Sequence, residues 1–196
     1  RFSPDMLGSM TYAGGLPLEE ALGRTDADGL VLGDELDRIG YRGPVPVPGP
    51  VPHAFVELHI EQGPVLERHG QTIGAVTGVQ GISWQELTIR GQANHAGTTP
   101  MALRHDAGFA AGAITLGVRE LVTAMGGAQV GTVGVIDLDP GLTNVVARRA
   151  RMTVDLRNTD EALLQEAERG LADLVREVAD DEGVTVDSAT LARFEP

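Results

Sequence analysis

Three polar side chains alternate with apolar ones in the stretch FVELHIEQGP, and their types could bind a metal ion. Glu57, His59 and Glu61 would share one face of an extended strand over residues 55–60, while the apolar residues between them face the other side. A histidine with a carboxylate two residues away on either side can be a metal ligand with acidic neighbours. It can equally be a neutral histidine hydrogen-bonded to a glutamate. The pattern leaves both interpretations open.

Two further side chains are of types that act on small polar substrates. His95 lies next to an asparagine in a Gly- and Thr-rich loop, which is an unusual place for a core histidine and favours a functional role. Arg157 ends a polar row on a predicted strand, and its planar guanidinium could hold a carboxylate by two hydrogen bonds. More often, a single strand arginine is a surface charge paired with a neighbour such as Asp155 or Asp160.

The composition excludes several classes of function. The 196 residues carry a formal net charge of −13, which argues against a nucleic-acid backbone or an anionic membrane as partner. Cysteine is absent, so metal binding would need His and carboxylate ligands. No HExxH, P-loop or GxSxG motif occurs. No uninterrupted apolar run has the length of a membrane span and no signal-peptide pattern is present, so we expect a cytoplasmic protein.

The second half of the chain shows a regular series of predicted elements. They are a strand at 84–91, a helix at 106–123, strands at 130–138 and 145–158, a helix capped by Thr159 and ended by Gly183, and a strand at 184–189. The order β-α-β-β-α-β is that of a ferredoxin-like unit. In the strand before Thr159, alternation places the apolar residues under the helices and Arg149, Arg151, Asp155 and Arg157 on the open face.

The first half is less regular. It contains short predicted helices at 16–22, 30–39 and 65–69, a proline-rich connector at 43–52, and predicted apolar strands at 55–60 and 73–79. Gly78 and Gly81 bracket a predicted hinge. The sequence therefore predicts two domains, residues 1–80 and 81–196.

Two long strings resemble one family of enzymes. Residues 57–67 (ELHIEQGPVLE) resemble the metal-ligand strand of the amidase/hydantoinase/carbamoylase branch of the M20 metallopeptidase-like hydrolases, and residues 91–101 (GQANHAGTTPM) resemble a loop of that family's lid domain. The likeness is greatest to the N-carbamoyl-L-amino-acid hydrolases and allantoate amidohydrolases. It implies an α/β (α+β) chain in which part of a Zn-hydrolase-type α/β catalytic domain precedes a ferredoxin-like lid or dimerisation domain.

The resemblance also implies roles for individual residues. His59 would be a metal ligand, His95 would stabilise charge on the scissile carbonyl oxygen, and Gln62, Asn144 and Arg157 would bind the substrate. Gln62 could instead only cap the helix that starts near Pro64. The intact enzyme would hold two divalent metal ions (Zn, Mn or Co). The remaining ligands and the catalytic glutamate would lie before Arg1 and after Pro196, so we expect this chain to contain an incomplete metal site.

The expected function follows from that resemblance. The parent protein would be a metal-dependent hydrolase of linear amide or ureido C–N bonds, acting on an N-carbamoyl-L-amino acid or, alternatively, on allantoate. The substrate would be a small ureido compound with a carboxylate. The protein would form a homodimer through the lid domain, with at least one of His95, Asn144 and Arg157 reaching the partner's site. The chain alone would be inactive, or would be a non-catalytic lid and dimerisation fragment.

Overall fold

The computed structural model describes residues 2–4 and 6–196, and the chain divides into two compact units, Arg1–His69 and Gly70–Pro196. The division lies closer to the N-terminus than the hinge expected at residues 78–81. Residues 70–80 contain no helix or strand.

The unit Arg1–His69 consists of short helices joined by turns. Its helices are α1 (Leu7–Tyr12), α2 (Leu18–Leu22), α3 (Leu32–Arg38) and α4 (Val65–Arg68). The helix α1 is not predicted from the sequence, since residues 7–12 lie outside the three helices expected in this half of the chain. The proline-rich connector packs on α1, since the Tyr12 hydroxyl donates a hydrogen bond to the Pro50 carbonyl oxygen at 2.5 Å.

The two strands predicted in this half of the chain are absent from the described structure. Residues 51–64 and 73–80 have no strand or bridge, and the apolar side chains of the first segment face outward, with Val56 93% and Leu58 96% exposed. A strand is stable only when its backbone groups pair with a neighbour. No other segment of the described residues before Gly81 forms a strand that could pair with either of them.

The unit Gly70–Pro196 is a four-stranded antiparallel sheet with two long helices. In chain order the elements are β1 (Gly81–Arg90), α5 (Ala107–Met125), β2 (Val130–Asp139), β3 (Arg149–Asn158), α6 (Glu161–Glu182) and β4 (Thr185–Phe194), with a short 3₁₀ turn at Met101–Leu103. The strands lie in the order β2-β3-β1-β4. The predicted series of elements and the mixed helix and sheet composition are confirmed.

The core lies between one face of this sheet and the two helices. Along β3 the side chains from Ala150 to Asn158 alternate between buried and accessible, so the polar row ending at Arg157 lies on the open face as predicted. The helices α5 and α6 approach closely through reciprocal contacts. Leu174 of α6 lies over a glycine of α5, Gly117, and Leu121 of α5 lies over a glycine of α6, Gly170.

Aspartates begin both long helices. The Asp106 carboxylate accepts hydrogen bonds from the first free amides of α5, and Asp160 accepts one from the amide of Leu163 at 3.0 Å. The cap predicted at Thr159 is therefore displaced by one residue. At the other end of α6, Gly183 adopts φ +65°, a left-handed conformation that favours glycine, so the helix ends where the sequence predicts.

The helix α5 has a further property that no uninterrupted apolar run in the sequence indicates. Its 19 residues are long and apolar enough, by length and composition, to cross a membrane. Counting uninterrupted apolar runs misses this helix because Arg119 and Glu120 interrupt it. In the folded unit, Ala110, Ile114 and Val118 form a buried stripe against the sheet.

Candidate functional site

The fold brings His95 and Asn144 together at one end of the sheet. The loop between β1 and α5, which carries His95, pairs with the turn between β2 and β3, which carries Asn144. The amide of Ala96 donates a hydrogen bond to the Asn144 carbonyl oxygen at 2.9 Å, and Val146 donates to the Asn94 carbonyl oxygen at 2.9 Å. Both predicted site residues are exposed. The site therefore rests on a backbone bridge between two loops.

The hydrogen bonds of His95 define which ring nitrogen can act as a donor. The backbone amide of Gly97 donates to Nδ1 at 3.0 Å, so Nδ1 is the acceptor of the neutral ring. The proton of the neutral imidazole must then be on Nε2, at the exposed end of the side chain. An N–H in that position can donate to a carbonyl oxygen that gains negative charge.

Arg104 braces the loop that carries His95. Its Nη2 donates to the Ala96 carbonyl oxygen at 2.7 Å, and its Nε and Nη2 donate to the Thr99 carbonyl oxygen at 3.1 and 3.0 Å. The loop closes on itself where the Gln92 amide donates to the carbonyl of His105 at 2.8 Å. Sequence reasoning missed Arg104. The only available signal was a single arginine close to a loop of small residues, whose carbonyls need donors.

The turn that carries Asn144 is closed by an ion pair. Arg148 donates through Nε to the Asp139 carboxylate at 2.8 Å, and its backbone amide donates to the Asp139 carbonyl at 3.0 Å. The hydrogen bond from the Arg148 side chain lowers the pKa of the Asp139 carboxyl below its ordinary value of 3.8. Behind the turn, Ala147 is buried and accepts a hydrogen bond from the amide of Ala107, so the turn is attached to the start of α5.

Arg157 lies at the other end of the same sheet. Its guanidinium is half-buried on the open face, where it forms an ion pair with Asp155 at 2.9 Å and lies 5.8 Å from the centre of the Trp84 ring. The hydrogen bond to Asp155 raises the pKa of Arg157. The pairing with Asp155 matches the alternative interpretation of this arginine as a surface charge paired with a neighbouring carboxylate. It occupies one edge of the guanidinium.

One chain does not bring Arg157 to His95 and Asn144. Arg157 and Arg149 lie near opposite ends of β3, where they pair with Ile82 and Arg90 of β1. The loops that carry His95 and Asn144 lie beyond the Arg149 end. Eight residues of strand span about 26 Å at about 3.3 Å per residue. Because the Arg157 guanidinium turns back towards Asp155, the distance from this group to the Arg149 end of the strand is about 20 Å.

The other two predicted site residues, His59 and Gln62, belong to the unit Arg1–His69 and are exposed. The His59 Nδ1 lies 2.6 Å from the Ile60 carbonyl oxygen. Gln62 has φ +55° and does not cap α4. That role belongs to Glu61, whose carboxylate accepts from the amide of Val65 at 2.9 Å. The helix-cap alternative for Gln62 is therefore wrong.

The described residues do not fit a complete metal centre. Across residues 2–4 and 6–196, no three His, Cys, Asp or Glu side chains are grouped so that they could hold a metal ion. His59 is consequently a single candidate ligand without a second beside it.

Comparison with known proteins gives consistent relatives. No family model matches the chain. It is 37% identical over 196 residues to an N-carbamoyl-L-amino-acid amidohydrolase from Rhizobium meliloti, covering 100% of this chain and 47% of that protein. It is 40% identical over 134 residues to an allantoate amidohydrolase from Escherichia coli K12, covering 68% of this chain and 33% of that protein.

A solved structure agrees with these relatives. The crystal structure of a hydantoinase/carbamoylase family amidase from Burkholderia ambifaria superimposes with a TM-score of 0.86 at 44% identity, covering 100% of this chain and 48% of that chain. The chain thus spans about half the length of the relatives it matches. Sequence and backbone agree over its full length, and the chain belongs to the hydantoinase/carbamoylase family of amidases.

Proposed function

We propose that the complete protein hydrolyses the terminal C–N bond of an N-carbamoyl-L-amino acid. The observation that carries this proposal is the presentation of His95 Nε2–H beside Asn144, on a loop fixed by Arg104. The relatives are named as amidohydrolases of N-carbamoyl-L-amino acids and of allantoate, which supports the choice of this class of bond. We further propose that the unit Gly70–Pro196 is the ferredoxin-like lid and dimerisation domain of this enzyme.

The chain's own residues would bind and polarise the substrate. When water adds to the ureido carbonyl carbon, negative charge develops on its oxygen, and His95 Nε2–H donates a hydrogen bond to that oxygen. The Asn144 amide adds donor and acceptor capacity at the same end of the sheet. Arg157 binds the carboxylate, and Gln62 binds the ureido group through its own amide. His59 and Gln62 enter this proposal on the resemblance of residues 57–67 alone.

We also propose that the intact protein contains two divalent metal ions (Zn, Mn or Co), with His59 as the single ligand contributed by this chain. Histidine and carboxylate ligands suit all three metals. The described residues contain no grouped set of ligands, so this proposal needs further ligands from other parts of the intact protein. Metal analysis of the complete gene product by mass spectrometry, compared with the His59→Ala variant, tests the assignment. An unchanged metal content in the variant would remove His59 from the metal site.

The separation between Arg157 and His95 supports a homodimer with shared sites. About 20 Å of strand is too long for one small ureido acid to contact both residues of one chain. The edge strand β2 offers a way to bring them together, because its outer backbone groups are unpaired and its Val135 and Ile136 side chains are exposed. Antiparallel pairing of two β2 strands would put the Arg157 end of one β3 beside the Arg149 end of the other. The two β3 strands would be three spacings, or about 14 Å, apart.

Mixing two impaired variants, at a substrate concentration at which each alone has little activity, tests this shared site. In a dimer with shared sites, a chain with His95→Ala and a chain with Arg157→Ala form one site that has both lesions and one that has neither. Random exchange should therefore restore about a quarter of the wild-type activity. No restoration in a mixture in which differently tagged chains co-purify as mixed dimers would place both residues in the site of one chain.

Turnover of a substrate panel by the complete gene product tests the function itself. We expect release of free amino acid from N-carbamoyl-L-amino acids, and we expect Arg157→Ala to raise KM selectively for substrates that have a carboxylate. Turnover of allantoate alone would select the alternative supported by the E. coli relative. A dimer without turnover of either substrate class would favour a non-catalytic lid and dimerisation protein.

A further inference from the structure

The guanidinium of Arg157 is held on two sides by neighbours on the open face of the sheet. The Asp155 carboxylate accepts hydrogen bonds from Nε at 3.0 and 3.1 Å and from Nη2 at 2.9 Å. The Trp84 ring lies under the plane of the group, 5.8 Å from its carbon. Trp84 and Asp155 are directly paired residues of β1 and β3, so their positions relative to each other are fixed by the sheet.

This arrangement leaves one edge of the guanidinium available. The group has five N–H donors in a rigid plane. Asp155 takes the Nε side, and Nη1 makes no hydrogen bond within residues 2–4 and 6–196. A carboxylate binds an arginine through two parallel hydrogen bonds, so the Nη1–Nη2 edge can accept a second carboxylate while Asp155 stays in place.

We propose that Asp155 is a positioning residue that orients Arg157 so that its Nη1–Nη2 edge meets the carboxylate of the substrate. This inference rests on the proposed function, since it takes Arg157 as the carboxylate clamp. A long arginine side chain loses rotamer entropy when it is ordered on binding. Asp155 and Trp84 impose that order before the substrate arrives.

A purely electrostatic role for Asp155 would have the opposite consequence. A carboxylate beside Arg157 cancels part of its charge and competes for its donors, so removing it would strengthen the attraction for an anionic substrate. The two roles therefore differ in sign. Positioning requires KM to rise when Asp155 is replaced, whereas competition requires KM to fall.

The experiment uses the complete gene product with Asp155→Asn, Asp155→Ala, Arg157→Ala and the double alanine variant. The substrates are an N-carbamoyl-L-amino acid and the same compound with its carboxylate converted to an amide. We expect Asp155→Ala to lower kcat/KM by about tenfold for the acid, mainly through KM, and to leave the amide within about twofold. Asp155→Asn retains one acceptor oxygen and should have an intermediate effect.

A matched control is available on the same face, on the strand β4 at the opposite edge of the sheet from β2. Asp187 forms an ion pair with Arg90 at 3.2 Å, more exposed than the pair of Arg157. We expect Asp187→Asn to leave both substrates unchanged. In the Arg157→Ala background, Asp155→Ala should have no further effect, because a residue that acts through Arg157 has nothing left to orient.

The outcomes separate this inference from the proposed function. If Arg157→Ala impairs the acid but Asp155→Ala and Asp155→Asn do not, the positioning role is wrong and the proposed function stands. A lower KM in either Asp155 variant, or equal losses for acid and amide, also overturns it. If the wild-type protein turns over neither class of substrate, the proposed function and this inference both fail.

Discussion

The change Gly91→Ala is expected to destabilise the sheet unit and displace the loop of His95. Gly91 follows β1 directly, and a Cβ atom there would overlap the carbonyl oxygen of His105 while lying 2.9 Å from its carbon and 3.0 Å from the nitrogen of Ala107. Ordinary contacts between such atoms are about 3.5–4.0 Å. Because all three atoms belong to the backbone, the strain cannot be removed by rotating a side chain.

The size of the effect follows from those distances. The backbone at Gly91 and the carbonyl oxygen of His105 must separate by more than about 1 Å to reach an ordinary contact, and overpacking of this kind costs about 1–3 kcal/mol. The movement also strains the hydrogen bonds from Gly91 to the Arg148 carbonyl and from Gln92 to the His105 carbonyl, each 2.8 Å long. Each hydrogen bond contributes about 1 kcal/mol. We therefore expect the free energy of unfolding to fall by about 2–4 kcal/mol.

The sequence supplies its own probe for this measurement. Trp84 is the single tryptophan of the chain and lies on β1, so its fluorescence during urea unfolding reports on the sheet unit. With a urea dependence of about 1–3 kcal/mol per molar, a loss of about 3 kcal/mol lowers the midpoint by about 1–3 M. In the complete gene product, a loop shift approaching 1 Å should lower kcat by up to about 100-fold.

The control is Gly112→Ala on the exposed side of α5. No atom lies within 4 Å of a Cβ built at Gly112. Alanine is favoured over glycine inside a helix by about 0.5–1 kcal/mol, so this variant should raise the midpoint. A Gly91→Ala midpoint equal to that of the wild type, with Gly112→Ala raised, would refute the close approach between Gly91 and His105.

Three further changes test other parts of the unit. Asn158→Ala removes a buried amide that donates to the Gln129 oxygen at 2.9 Å, which should lower the unfolding free energy by about 2–3 kcal/mol in urea titrations. Arg104→Lys should lower kcat in steady-state kinetics and change KM little, because lysine lacks the planar donors that hold two carbonyls of the His95 loop at once. The hydrogen bond from Arg193 lowers the pKa of Glu161 below 4.5, so its stabilisation is present above pH 4.5 and is lost as the pH falls through the lowered value. The stability difference between wild type and Glu161→Gln should thus shrink on acidification, and a constant difference from pH 7 to pH 3 would contradict it.

The elements of the second half could be predicted because their signals are local. The alternation in β3 and the apolar stripe of α5 each come from neighbouring positions on one element, and a glycine ends α6 where the pattern stops. The strand predicted at 55–60 has the same local alternation, but the described residues of its unit contain no partner strand. Alternation alone indicates what a segment would bury, whereas pairing depends on residues elsewhere in the chain.

The candidate site shows the same boundary between local and distant information. His95 and Asn144 could each be recognised within a short string, but their contact depends on how two loops 49 residues apart meet across the sheet. The brace from Arg104 and the close approach at Gly91 depend on a loop closing on itself, which leaves no periodic signal. For Arg157 the sequence named Asp155 as a possible partner but could not choose it over Asp160.

The reciprocal seating of leucines over glycines between α5 and α6 has a consequence for the evolution of this family. Leu174 lies over Gly117, and Leu121 lies over Gly170, so each pair has room for one large side chain and none for a second. A larger residue at either glycine position would need a smaller one at its opposing leucine position to preserve the distance between the helices. Across diverged members of the family, these two pairs of positions should therefore change together while their combined volume stays nearly constant.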